Sequence, residues 1–289
     1  MVAFVKFANY PQRPISHKKF ILTRKCSKVY SPLEPTSTLE TLILDQLKRG
    51  RFKSNFYDVH LIKMKVTYYG HSTFGVEAGG KNLLFDPFIS PNELAKDVTV
   101  DSIPADFIFI SHGHEDHVAD AVSIAKRTGA TVVSNFEIIT WFGSQGVDNG
   151  HPMNHGGQWS FDFGTVKYVN AVHSSLLPDG TYGGNPGGFV IKSDGVSFYY
   201  AGDTALTYDM KLLGEYEKLD FAMLPIGDNF TMGISDAVIA SDFIKCDKII
   251  AMHYDTFGYI VIDKDRAKKE FADKGKQLSI INIGESIDL

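Results

Sequence analysis

The chain has 289 residues, 44% hydrophobic and 22% charged. That composition suits a soluble globular protein of one large domain, or one domain plus an appendage, and excludes a disordered chain. The net charge of −5 is unevenly spread: residues 1–63 hold twelve Lys/Arg against four Asp/Glu, and the rest holds seventeen against thirty. A body that acidic repels phosphate backbones, which argues against a nucleic-acid partner.

No run of eighteen apolar residues indicates a membrane span. The start, Met1-Val-Ala-Phe-Val-Lys, lacks the layout of a secretory signal. The two cysteines, Cys26 and Cys246, belong to no CxxC pair; they read as free thiols in a reducing compartment, so a cytoplasmic location is expected. The expected partner is a small-molecule substrate, with homo-oligomerisation left open.

Composition changes near Met64. Residues 1–63 read as a basic N-terminal extension, partly irregular, with scattered prolines. One helix is expected there: Ser37-Thr38-Leu39-Glu40 fits a capping box, Leu39, Leu42, Ile43 and Leu47 form an apolar stripe, and Gly50 is a stop. Residues 64–289 read as the second unit, orderly throughout. Strands are expected at 66–69, 74–77 and 82–85, the last two joined at Gly79-Gly80 as a hairpin. The apolar run 107–110 predicts a buried strand. It leads into a histidine-rich turn and a helix over 116–127. A strand at 131–134 and a helix at 137–145 follow. Further strands are expected at 159–163, 166–171, 188–192 and 198–201. Helices at 208–216, 235–244 and 264–274 then alternate with strands at 221–224, 248–252 and 279–282. Two such halves suggest β-sheets sandwiched between helices.

The chemistry concentrates in Ser111-His112-Gly113-His114-Glu115-Asp116-His117. Three imidazoles and a carboxylate on one turn suit zinc, manganese or iron, and Gly113 lets the backbone bend tightly. One turn supplies too few ligands for two metals. Further donors follow apolar strands downstream: His173, then Asp203 in Ala201-Gly202-Asp203-Thr204, then His253 after Ile249-Ile250-Ala251-Met252. Loops at strand ends are where rigid scaffolds present reactive groups.

In that order, these residues resemble the complete ligand set of the metallo-β-lactamase superfamily, over nearly all of 64–289. The branch they resemble most is that of small metal-dependent hydrolases related to L-ascorbate-6-phosphate lactonase. Gly70-His71-Ser72-Thr73-Phe74, Leu84-Phe85-Asp86-Pro87, Met153-Asn154-His155-Gly156-Gly157 and Phe230-Thr231-Met232 are similar to that branch, though less specific. The resemblance implies a four-layer αββα sandwich. It implies two divalent metal ions, zinc foremost, with manganese or iron as alternatives. His112, His114 and His173 would hold one ion, Asp116, His117 and His253 the other, and Asp203 would bridge. Asp86 would orient a ligand histidine from behind.

Such a pair acidifies a bridging water to hydroxide near neutral pH, and the same cations stabilise the oxyanion of an attacked ester-type bond. Asp116 would orient the hydroxide. His71 and His155 are the side chains considered for a catalytic role, including proton donation to the leaving group. His17, His60 and His151 are expected to have none. The glycine-rich 183–188 segment lacks the context of a nucleotide loop and reads as a flexible rim.

The substrate expected first is a lactone of a sugar acid or its phosphate, with a phosphodiester second; Lys81, Lys192 and Lys211 are the cations available for an anionic group. A non-catalytic metal-binding protein would leave a full ligand set idle. RNA-processing relatives carry large inserts, for which the 29 residues between His173 and Asp203 and the 49 between Asp203 and His253 leave no room. A β-lactamase proper would normally be exported. Flavodiiron reductases have Glu where this chain has His114, and a neutral imidazole there leaves the pair better suited to activating water than to holding oxidised iron.

Overall fold

The structure, a computed structural model, describes residues 64–289; Cys26, His17, His60 and the helix expected around 37–50 lie outside them. Fourteen strands form two seven-stranded sheets. The first contains β1 (Lys65–Gly70), β2 (Thr73–Ala78), β3 (Lys81–Phe85), β4 (Phe107–Phe109), β5 (Thr131–Asn135), β6 (Gly150–Met153) and β14 (Ser286–Asp288), in the order β14-β1-β2-β3-β4-β5-β6. The second contains β7 (Gln158–Phe161), β8 (Gly164–Asn170), β9 (Gly187–Ser193), β10 (Val196–Tyr200), β11 (Phe221–Pro225), β12 (Lys248–Met252) and β13 (Gln277–Ser279), in the order β13-β12-β11-β10-β9-β8-β7. Each sheet has an antiparallel half followed by a parallel half.

The continuous apolar runs follow from burial on both faces. In β3 and β4, Leu83, Phe85, Phe107 and Phe109 enter the core between the sheets. Their neighbours Leu84, Ile108 and Ile110 enter a second core, under helices α2 (Ala121–Thr128) and α3 (Phe136–Ser144). Helices α4 (Asp209–Tyr216), α5 (Ile234–Phe243) and α6 (Lys264–Ala272) contribute Leu213, Ala237 and Phe271 to the core of the second sheet. The αββα layering expected from the sequence is therefore present. No helix among the described residues is long and apolar enough to cross a membrane.

The expected hairpin forms at Gly79-Gly80, both with positive φ, in register Ala78↔Lys81. The single helix expected over 116–127 is two: a one-turn α1 (Glu115–Val118), then α2. Between them Asp120 turns its carboxylate back to accept from the Ile89 and Ser90 amides at 2.6 and 2.9 Å, pinning the loop after β3. That long-range demand has no periodic signature. Nor do β6, which contains a proline, or β14, three residues that pair with β1; both were missed. The last parallel strand, β13, begins two residues before its expected start.

Candidate metal centre

All proposed ligands emerge along one edge of the sandwich. The C-terminal ends of the parallel strands β3, β4, β10 and β12 lead to Asp86, His112, Asp203 and His253, and β8 leads to His173. His71 comes from the β1–β2 turn, where the register shifts between Tyr68 and Gly70. Such irregularities re-aim side chains at strand ends. His71, Asp86 and His253 all have positive φ, of 54°, 40° and 55°. Left-handed backbone costs a non-glycine residue energy, so the surroundings must hold it. One such hold is the His253 amide, which donates to the His71 carbonyl at 2.8 Å. Gly202 (φ 61°) precedes Asp203 for a steric reason as well: a Cβ there would lie 2.6 Å from Ser111 Cβ.

Two groups of donor atoms, each within 4.8 Å of one another, stand at the front, His112, His114 and His173, and His71, Asp116, His117 and His253; a third, Asp86, His112 and His117, overlaps both. Asp203 lies between the first two. Its Oδ2 is 3.6 Å from His173 Nε2 on one side, and 3.4 and 2.9 Å from the Nε2 atoms of His117 and His253 on the other.

Behind the groups stands Asp86, fully buried. It accepts from the Ser111 amide at 2.7 Å, from Tyr200 Oη at 2.7 Å, from Ser111 Oγ, and from His117 Nδ1 at 2.8 Å. With its own proton given to Asp86, Ser111 Oγ accepts from His112 Nδ1 at 2.9 Å. One carboxylate thus fixes two imidazoles with Nδ1 as the donor and Nε2 turned to the site. His114 Nδ1 faces His112 Nε2 at 3.0 Å, and its Nε2 meets Ser174 Oγ at 3.2 Å.

Charge decides what this arrangement can hold. Burial pushes His112, His114 and His173 below the usual imidazole range, and takes His71 down to about 4. Burial also opposes charge on Asp116 and Asp203, yet the adjacent histidines outweigh it and keep both below the usual carboxylate range. His117 is the exception: burial lowers it, but Asp203, Asp116 and Asp86 together raise it well above its ordinary value. Ionised carboxylates among mostly neutral imidazoles call for a cation. His117 Nε2 and Asp203 Oδ1 are moreover buried without a hydrogen-bond partner. Nitrogen and oxygen donors of this kind fit zinc and its neighbours.

His71 is brought into the second group, with Nδ1 2.9 Å from Thr256 Oγ1 and Nε2 3.1 Å from Asp116 Oδ2. His155 is not brought to either. Its ring stacks on Tyr168 at 5.0 Å between centroids and its Nε2 meets the Pro186 carbonyl at 2.8 Å. The turn that carries His155 hydrogen-bonds to β8 through Gly156 and Gly157, which holds the ring outside both groups. His151 packs on Trp159 and Phe161, away from the cluster. The segment expected as a flexible rim uses its glycines for close packing; a Cβ on Gly187 would strike the Tyr168 ring at 2.3 Å. Sequence reasoning passed over Ser111, Tyr200 and Thr256. Only Ser111, adjoining His112, carried a signal that could have been read.

A model of the Beta-lactamase superfamily domain matches residues 65–253. The chain is 59% identical over 227 residues to a UPF0173 metal-dependent hydrolase of Christiangramia forsetii, covering 78% of this chain and 100% of the relative. It is 51% identical over 226 residues to one of Methylacidiphilum infernorum, with the same coverage. Among solved structures, Igni18, a novel metallo hydrolase from the archaeon Ignicoccus hospitalis, is similar with a TM-score of 0.72 and 34% identity, over 78% of this chain and 98% of that one. The fold and the site thus define a hydrolase of the metallo-β-lactamase superfamily. Within that superfamily the chain belongs to the UPF0173 metal-dependent hydrolases.

Proposed function

We propose that the chain hydrolyses an ester-type bond, a lactone foremost, with two divalent metal ions. Zinc is the first choice. His112, His114 and His173 would hold one ion, and Asp116, His117 and His253 the other. The observation that carries this reading is the position of Asp203, whose Oδ2 lies within 3.6 Å of imidazole nitrogens from both groups. When bound, the ions supply Lewis acidity that activates water and stabilises charge on the attacked carbonyl.

The chain's own residues set up that chemistry. Asp86 and Ser111 lock the imidazoles of His117 and His112. His71, neutral in its buried setting, donates from Nε2 to Asp116 and receives Thr256 at Nδ1, which holds the carboxylate in one orientation. His71 is a positioning residue in this reading. Of the cations considered for a phosphorylated sugar lactone, Lys81 pairs with Asp162, Lys192 pairs with Glu217, and Lys211 lies over the Tyr208 ring. That favours the unphosphorylated member of the class.

Metal analysis of purified protein with a lactone panel tests the reading. About two equivalents of metal per chain are expected, lost in large part in Asp203→Asn together with activity. Full metal and full activity in that variant would overturn it.

A further inference from the structure

Large apolar side chains are exposed on both sides of the metal centre. On one side, Leu176 and Tyr182 bridge across the loop that follows His173. That loop lies against the ligand turn: a Cβ on Gly113, between His112 and His114, would meet the Leu176 carbonyl carbon at 3.4 Å. On the other side, Phe257 packs edge-on to His71 at 5.4 Å, and Phe230 packs edge-on to Tyr259 at 6.1 Å. The loop bearing Phe230 is tied to the site, since the Met232 amide donates to the Thr204 carbonyl at 3.0 Å, next to Asp203. These five side chains range from 37% to 78% exposed. Such exposure beside a reactive centre marks a ligand-binding surface.

Charge around the centre points the same way. Among the described residues, Asp116 and Asp203 have only histidines within 4.0 Å as basic partners. Glu115, beside Asp116, is exposed. Apart from the ions that the two carboxylates would help to hold, no Lys or Arg among the described residues lies within 4.0 Å of them to receive an anionic group on a substrate.

The geometry points to a substrate that is uncharged near its scissile bond and carries an alkyl or aryl group flanking it, seated between the Leu176–Tyr182 and Phe230–Phe257 walls. This rests on the hydrolase reading and narrows it to a neutral, apolar-substituted lactone or ester. Water adds across the acyl C–O bond, giving a carboxylic acid and an alcohol, with no other reactant.

The test is calorimetric titration of the metal-loaded full chain with straight-chain alkyl hydroxamates of two, six and ten carbons, and with one ending in a second carboxylate. Affinity is expected to rise at least about tenfold from two to ten carbons, since each buried methylene strengthens binding. The second carboxylate should weaken binding relative to a neutral chain of equal length. Phe230→Ala and Leu176→Ala should each flatten the series with metal content unchanged. A flat series in the parent chain, or tighter binding of the dianionic probe, would overturn the inference. Lactone turnover is measured in parallel. Binding that climbs with chain length without turnover of any lactone or ester leaves the apolar walls standing as a ligand surface and removes the hydrolytic reading with its ester step. Turnover indifferent to chain length, with a flat titration, does the reverse.

Discussion

At the scale of single residues, the centre depends on groups that never touch substrate. Asp86 gathers four donors in a site with no access to water. Its replacement by Ala leaves those donors unsatisfied and frees two ligand imidazoles. Metal affinity should fall about 10- to 100-fold, the usual cost of losing such a partner. Stability should fall by about 3 kcal/mol or more, on the scale of breaking a buried charged network. Competitive metal titration and denaturant unfolding measure the two effects. His71→Gln should retain much more activity than His71→Ala, because an amide can still donate to Asp116. Equal losses in the two variants would show that the imidazole does something other than position that carboxylate.

At the scale of elements, one short helix and one loop are fastened by a shared residue. Asn135 caps α3 by accepting from the Ile138 amide at 2.9 Å, and its Nδ2 donates to the Gly183 carbonyl at 2.7 Å. Ser175 adds to the fastening: it accepts from the Gly113 amide at 3.0 Å and donates to the same carbonyl at 2.9 Å. Asn135→Ala should cost about 1–2 kcal/mol of stability, typical of a lost cap. Because the loop it releases bears Ser174, Leu176 and Tyr182, KM should rise more than kcat falls. Steady-state kinetics on a hydrolysed lactone would show the split.

At the scale of the molecule, the centre joins two halves that fold on separate sheets. His112, His114, Asp116 and His117 come from the first sheet's loops, and His173, Asp203 and His253 from the second's. Metal held as proposed would therefore cross-link the two sheets. Chelation of the metals should lower the unfolding midpoint reversibly, by about 4 kcal/mol of stability for each ion held at a thousand times its Kd. The same closure bears on the chain's beginning. The Met64 amide donates to the Leu289 carbonyl and the Leu289 amide to the Met64 carbonyl, at 3.1 and 3.0 Å, so the first and last described strands seal each other. A chain begun at Met64 is expected to fold and to bind metal as the full chain does, by circular dichroism and metal analysis.

Much of this was legible before any coordinates, because the signals were local. Buried strands announce themselves as apolar runs, and the candidate donors following such runs, brought together in the structure, could be read one after another from His112 to His253. Where the demand came from a distant residue, the sequence was silent. Asp120 breaks a helix to hold the loop after β3, and nothing in its neighbours records that loop. Strands β6 and β14 exist because an edge was waiting for them, not because their own residues favour extension. His71 and His155 sit in comparable glycine-bearing turns. A bulge in β1 aims one at Asp116, while the other's turn hydrogen-bonds to β8 and stacks its ring on Tyr168. The sequence by itself determined the layers, the candidate donors and their order, since these follow from burial and donor chemistry residue by residue. Only the tertiary structure decided that Ser111, Tyr200 and Thr256 join Asp86 and His71 around the candidate donors and which apolar side chains stay exposed nearby, because hydrogen-bond partners and exposed surfaces are set by chain segments far apart in sequence that meet only on folding.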